Sequence, residues 1–182
     1  SLYFSTSNAG NLIDGNRIHN SFTSHLANTT TYYSIALTSA GTSSLPNIVT
    51  NNLIYSNEGN GTHYGIYNSG AAYMKAYHNT IVMDYAAATA GITYGFYQSL
   101  VVDSIVFKNN IIYITRGGSG VKYGIYKNTA TTPIISNYNV FYLGSAGTGT
   151  QNIGYQTAAL TDLNAWTTTT SQDANSMVAN PL

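Results

Sequence analysis

The four letters "YGIY" stand at residues 64–67 and again at 123–126, with "YGFY" at 94–97 between them. Gly65, Gly95 and Gly124 are therefore 30 and 29 residues apart. "YYSIA" is a degenerate earlier copy with Ser34 at the glycine position, 31 before Gly65, and "QNIGYQ" places Ile153 29 after Gly124. A second series runs beside the first, in "GNRIHN", "NNLIYSN", "HNTIVMD", "NNIIYIT" and "YNVFYLG". It aligns Asn16, Asn52, Asn79, Asn110 and Asn139 at gaps of 36, 27, 31 and 29, with Ile18, Ile54, Ile81, Ile112 and Phe141 two positions later. A period in this range means stacked repeats, each of which meets only its neighbours.

The local pattern selects the kind of repeat. Helical repeats need apolar residues at i, i+3 and i+4 over ten or more residues. The runs here are short, β-branched and aromatic, as in "SIVFKNNIIYI", and end in turn chemistry such as "GGSG", "GSAGTGT" and "NGT". They predict two or three strands per coil. A propeller blade would need a longer period and antiparallel hairpins. The asparagine column favours coils stacked in parallel, because only then do equal positions sit at the spacing of neighbouring strands and bond amide to amide.

With an Asn in the tight turn and an Ile two residues on, the chain resembles the right-handed parallel β-helix family, the pectate-lyase-like repeats, from about residue 11 to 155. The closing "LNAWTTTTSQDANSMVANPL" is similar to the segment after such coils in large secreted surface proteins of Bacteroidota, although Ser171 stands where those proteins carry Gly. The fold expected is all-β: a parallel β-helix of five to six coils over residues 1–159, with a capping tail over 160–182 that continues into further sequence. In that tail Leu160, Leu163 and Trp166 have helical spacing and make a natural lid.

Strand alternation, with the apolar column inward, points Ile66, Phe96 and Ile125 into the core together with Tyr64, Tyr94 and Tyr123. It points Gly65, Gly95 and Gly124 outward beside Tyr67, Tyr97 and Tyr126. His19, Tyr55, Val82, Tyr113 and Tyr142, three after each ladder Asn, also face out. Such rings staple coil to coil, and the file Tyr67, Tyr97, Tyr126 is also the candidate carbohydrate-binding surface, a row of phenols on ground flattened by glycine.

Charge limits the function. Only 7% of the 182 residues are charged, far below the roughly 25% of ordinary domains. The surface must be neutral and polar, a composition associated with extracellular or cell-surface proteins. Six basic residues balance six acidic ones, so no basic field invites nucleic acid, and no apolar run spans a membrane. The absence of Cys removes disulfides and thiolate metal sites. The acids Asp14, Glu58, Asp84, Asp103, Asp162 and Asp173 share no column, and the closest approach is Glu58 with Asp84 on adjacent coils. A solvated turn suits each better than catalysis. His19 and His78 read as surface ladder neighbours, His25 and His63 as loop residues, with no metal-ligand spacing. Lys75, Lys108, Lys122, Lys127, Arg17 and Arg116 are scattered, with Lys108 beside Tyr77 on the next coil. No catalytic residue, metal or cofactor is assigned. The reading is a non-enzymatic adhesive or structural module, with polysaccharide or further domains and chains of a surface assembly as partners. A polysaccharide lyase or glycoside hydrolase whose catalytic residues lie outside this segment is the alternative.

Overall fold

The computed structural model describes residues 1–5, 9–144 and 146–181; Ser145, within the predicted turn "GSAGTGT", lies outside them. Five coils each supply three strands. The first holds β1 (Leu2–Phe4), β2 (Leu12–Asp14) and β3 (Arg17–Ile18); the second β4 (Tyr32–Leu37), β5 (Asn47–Thr50) and β6 (Leu53–Ile54). The third holds β7 (His63–Asn68), β8 (Met74–Tyr77) and β9 (Thr80–Met83); the fourth β10 (Thr93–Gln98), β11 (Ile105–Lys108) and β12 (Ile111–Ile114). The fifth holds β13 (Lys122–Lys127), β14 (Ile134–Asn137) and β15 (Val140–Leu143). The chain closes with β16 (Gln151–Gln156), β17 (Ala158–Leu160), helix α1 (Leu163–Thr170) and β18 (Met177–Val178).

Each strand pairs with its equivalent on the next coil, giving three sheets around one core. All pairings are parallel except β17, which turns back antiparallel on β16. This is the predicted parallel β-helix. Ile54, Ile66, Ile81, Phe96, Ile112, Ile125 and Phe141 are all fully buried, as the alternation required of them. The ring of Phe96 stacks on Phe107 of the neighbouring sheet at 4.9 Å.

The asparagine column is a directional ladder at the tight turn between the second and third sheets. The backbone N–H and Nδ2 of Asn52 both donate to Oδ1 of Asn79, at 3.1 and 2.9 Å, and Asn79 donates to Oδ1 of Asn110 at 3.0 and 2.9 Å. Asn16 donates in the same way to Asn52, and Asn110 to Asn139. Spare Nδ2 hydrogens reach the carbonyls of Ile13, Val49, Ala76 and Phe107, so these buried amides are satisfied. The residue before each ladder Asn, namely Gly15, Asn51, His78, Asn109 and Tyr138, has φ between 54° and 66°. Four of the five are not glycine, so the turn is held by the ladder amide that follows rather than by backbone freedom.

The repeated glycines correct the outward assignment. A Cβ on Gly65 would lie 2.7 Å from Cγ2 of Ile81 and 2.5 Å from the Gly95 carbonyl, and Gly95 and Gly124 meet Ile112, Phe141 and the next coil's carbonyl in the same way. These glycines point into the core. Ile66 beside Gly65 is also inward, so two consecutive residues face the same side, and the pairing register passes over the glycine from Tyr64 to Ile66. The bulge displaces the alternation, and Tyr64, Tyr94 and Tyr123 come to the outer face of the sheet instead of the core, where their neighbours leave Tyr94 only 7% exposed.

The tail closes the stack. Asp162 caps α1, its side chain accepting from the Ala165 N–H at 2.8 Å. The fully buried Trp166 lies over Gly154, whose missing side chain leaves the indole its place. "IG" in "QNIGYQ" thus reverses the "GI" of the earlier coils, and Trp166 fills the position that an Ile or Phe holds elsewhere. Leu160 and Leu163 pack partly buried against the core, and β18 extends the third sheet beyond β15. Among the described residues no helix is long and apolar enough to cross a membrane.

Candidate functional site

The first sheet carries its tyrosines as two files side by side. One comprises Tyr33, Tyr64, Tyr94 and Tyr123, the other Tyr67, Tyr97, Tyr126 and Tyr155, all held in register by the parallel pairing of β4, β7, β10, β13 and β16. Within the second file the rings stack at 5.4, 4.9 and 4.3 Å with interplanar angles of 20°, 5° and 4°. Within the first they stack at 4.8, 4.7 and 5.6 Å. Between the files the contacts are edge to face, as in Tyr64 against Tyr97 at 5.2 Å and 90°. Offset stacking along a file and edge contact across files are both favoured by the ring quadrupole, so the arrangement stabilises itself.

The structure brings Tyr67, Tyr97 and Tyr126 together as the spacing predicted, and adds Tyr155 to them and the whole file of Tyr33, Tyr64, Tyr94 and Tyr123 beside them. The strand bulge at glycine makes the doubling. Reading the strands by strict alternation hides it, although Tyr at both the first and fourth letters of each motif is visible in the sequence. Stacking also changes what the surface offers. A ring with neighbours above and below has both faces covered, so the edges and hydroxyls meet solvent. Burial, and then neighbouring phenols that would repel a phenolate, push Tyr94 and Tyr64 well above the usual tyrosine range. The same causes push Tyr126 up to about 12. Tyr64, Tyr94 and Tyr126 therefore stay protonated at physiological pH, and the ribbon offers a strip of hydroxyl donors and acceptors.

A second outer column forms on the third sheet, where His19 stacks on Tyr55 at 4.8 Å and Tyr113 on Tyr142 at 5.1 Å. Lys108 and Tyr77 pair in register. No group of three His, Cys, Asp or Glu residues among the described residues could hold a metal ion. Two acids have structural work: Asp162 caps the helix, and the buried Asp173 accepts from Trp166 Nε1 at 2.8 Å and from Asn139 Nδ2 at 2.9 Å. His63, expected in a loop, is instead the first residue of β7 and fully buried. Arg116 and Lys122, which looked scattered, are fully buried beside it at one corner of the coil. The tetrapeptide register puts His63 and Lys122 in one column, each directly before its motif, while only packing across coils brings Arg116 to them.

No family model matches the chain, and no curated protein or solved structure matches it.

Proposed function

We propose that the chain is a non-enzymatic β-helix module of the cell surface or extracellular space, structural and adhesive, which contacts neutral carbohydrate along Tyr67, Tyr97 and Tyr126. The observation that carries this reading is the unbroken register of phenols on one outer face, with ring centroids 4.9–5.4 Å apart along those three residues. That repeat is close to the length of one sugar residue in an extended chain. Contact is through hydroxyl edges, by hydrogen bonds to sugar hydroxyls, because the stacked faces are covered. The low charge and the turn-asparagine spacing of pectate-lyase-like repeats support a secreted module. So does the closing segment's likeness to surface proteins of Bacteroidota.

Affinity is modest, since a shallow, wet interface leaves little surplus over the entropy of association, and it responds weakly to salt. The test compares retention of the parent, Tyr97→Phe and Tyr97→Ala on immobilised polysaccharides, with the fold checked by circular dichroism. Both substitutions should reduce retention several-fold, Phe included, because it removes the hydroxyl and keeps the ring. Parent-like retention by both, or no glycan bound by the parent, leaves the tyrosines as staples between coils. Release of shortened products from a pectin-like or alginate-like polymer would replace the proposal with the lyase or hydrolase reading.

A further inference from the structure

Behind the tyrosine face, one corner of the coil collects positive charge with no carboxylate bonded to it among the described residues. His63, Thr93 and Lys122 are the inward residues at the starts of β10 and its two neighbours, in register on successive coils, and none has any exposed surface. Arg116, equally enclosed, enters from the loop before β13. Its Nη1 donates to Thr93 Oγ1 at 3.3 Å and to the carbonyls of Ala90 and Gly91 at 3.1 and 3.2 Å. Its Nη2 donates to the carbonyls of Gly59 and Gly61 at 2.6 and 3.1 Å. Lys122 Nζ donates to the Gly118 carbonyl at 3.0 Å. Every one of these bonds goes to a neutral oxygen.

The loops allow this because they are glycine-rich at a fixed register. Gly61, Gly91, Gly120 and Gly149 repeat at gaps of 30, 29 and 29, and a Cβ on any of the last three would strike the carbonyl of the preceding glycine in the column. The chain can approach itself closely enough here to enclose long side chains.

Donors are left over. Arg116 Nε and both ring nitrogens of His63 are buried with no partner among the described residues. Lys122 has three hydrogens on Nζ and one bond. Tyr32 and Phe22 close the far side of the imidazole, with centroids 5.5 and 6.3 Å away. Arg116 lies near enough to depress the proton affinity of both His63 and Lys122, in each case after burial, which is the larger cause. Two dehydrated cations and orphaned N–H groups in one enclosed place are costly unless something negative joins them.

We propose that this corner binds one small monovalent inorganic anion of the halide class, hydrogen-bonded by Arg116 Nε–H and an N–H of His63, with Lys122 at its flank. Because His63, Thr93, Arg116 and Lys122 have no exposed surface, the corner suits a small ion rather than sulfate, a nucleotide or a carboxylate ligand. Neutral His63 supplies one N–H and carries no charge of its own, so the anion offsets one of the two positive charges of Arg116 and Lys122. Such an ion would tie the third, fourth and fifth coils together from inside, independently of whatever the tyrosine face contacts.

The experiment uses the full chain. Thermal unfolding is followed in sodium chloride, sodium bromide and sodium gluconate at equal ionic strength, and crystals grown in bromide are measured at the bromine absorption edge. The expected result is an anomalous peak within hydrogen-bonding distance of Arg116 Nε. Tm should rise by about 3–5 °C for each tenfold increase in chloride above the dissociation constant, and stay flat in gluconate. Lys122→Met should shift the chloride dependence to concentrations at least several-fold higher. If that variant does not fold, the bromide peak in the unsubstituted protein decides. A corner peak without anomalous signal, which would be water, overturns the proposal. So does a Tm that follows ionic strength alone.

Discussion

The two ends of the stack are built differently. At the C-terminal end the ladder stops on Asp173, whose Oδ1 accepts from Asn139 Nδ2 and from the Ser176 hydroxyl, while Ser176 accepts the Asn139 backbone N–H at 2.8 Å. At the N-terminal end Asn16 donates downward to Asn52, and its own Oδ1 accepts from nothing among the described residues. There β1, β2 and β3 are edge strands, with Tyr3 63% and Leu12 64% exposed. The ladder's direction explains the asymmetry. Each Asn hands its donors to the following coil, so the last coil needs acceptors, and the two oxygens of the Asp173 carboxyl take the bonds from Asn139, Ser176 and Trp166.

Removing the cap should break this difference most severely. Deleting residues 160–182 takes away Trp166, whose loss alone is worth about 3–5 kcal/mol by analogy with buried Trp→Ala changes. It also leaves the Asn139 backbone N–H unpaired, on the face that would meet the acceptor side of another molecule's Asn16. The expected product associates head to tail, a heterologous contact that does not close, and sedimentation velocity should show concentration-dependent oligomers. A truncated chain that remains monomeric with the parent's Tm would show that the tail caps nothing.

Within the ladder, Asn110→Leu orphans partners on both neighbouring coils and should cost at least ~2–3 kcal/mol in urea unfolding. Asn60→Leu removes one exposed bond from the Thr89 N–H and should cost under ~1 kcal/mol. Equal losses would count against the ladder as a source of stability. A subtler substitution is Asp173→Asn, which keeps shape and adds donors at a point where Trp166, Asn139 and Ser176 already donate. A loss of about 1–3 kcal/mol is expected, and an unchanged midpoint would mean that the terminus does not need an acceptor-only group.

Between the ends, His63 makes the interior acid-sensitive. Burial, and then Arg116, lower its pKa from 6.5 to about 3, with Thr93 on the adjoining strand, Lys122 one strand beyond it, and Tyr32 and Phe22 against the ring. The unfolded chain therefore binds the extra proton first. Stability is full above pH 6.5 and declines as pH falls toward about 3. His63→Phe should flatten the urea midpoint between pH 7 and pH 4.5 relative to the parent, and parallel slopes would place the sensitivity elsewhere.

Much of this was readable from the residues because stacked coils put equal side chains at equal positions. Asn52, Asn79 and Asn110 revealed the turn, and Ile54, Ile81 and Ile112 the inner face. The tetrapeptides revealed the register. The errors arose where period two failed. Gly65 faces the core because Ile81 fills the space a side chain would take, and that displaced Tyr64 to the outer face. The glycine column at Gly61, Gly91, Gly120 and Gly149 has the same spacing as the tetrapeptides and could have been noticed. Lys122 and His63 each stand one residue before a tetrapeptide and share its register, but Arg116 could not be placed, since it is a lone charge in its own loop. Asp173 likewise becomes a terminator only when Asn139 and Trp166 arrive beside it.

Because a coil of about thirty residues touches only the coils before and after it, the molecule also has a natural unit of mechanical length. Pulled from its C-terminus, it would give up the cap first and then pay out chain one coil at a time. Each release would add about 100 Å of extended polypeptide, and the tyrosine ribbon would shorten by one rung of each file. A module of this kind is a spring with counted turns, and a strained attachment would lengthen in steps while the remaining turns kept their grip.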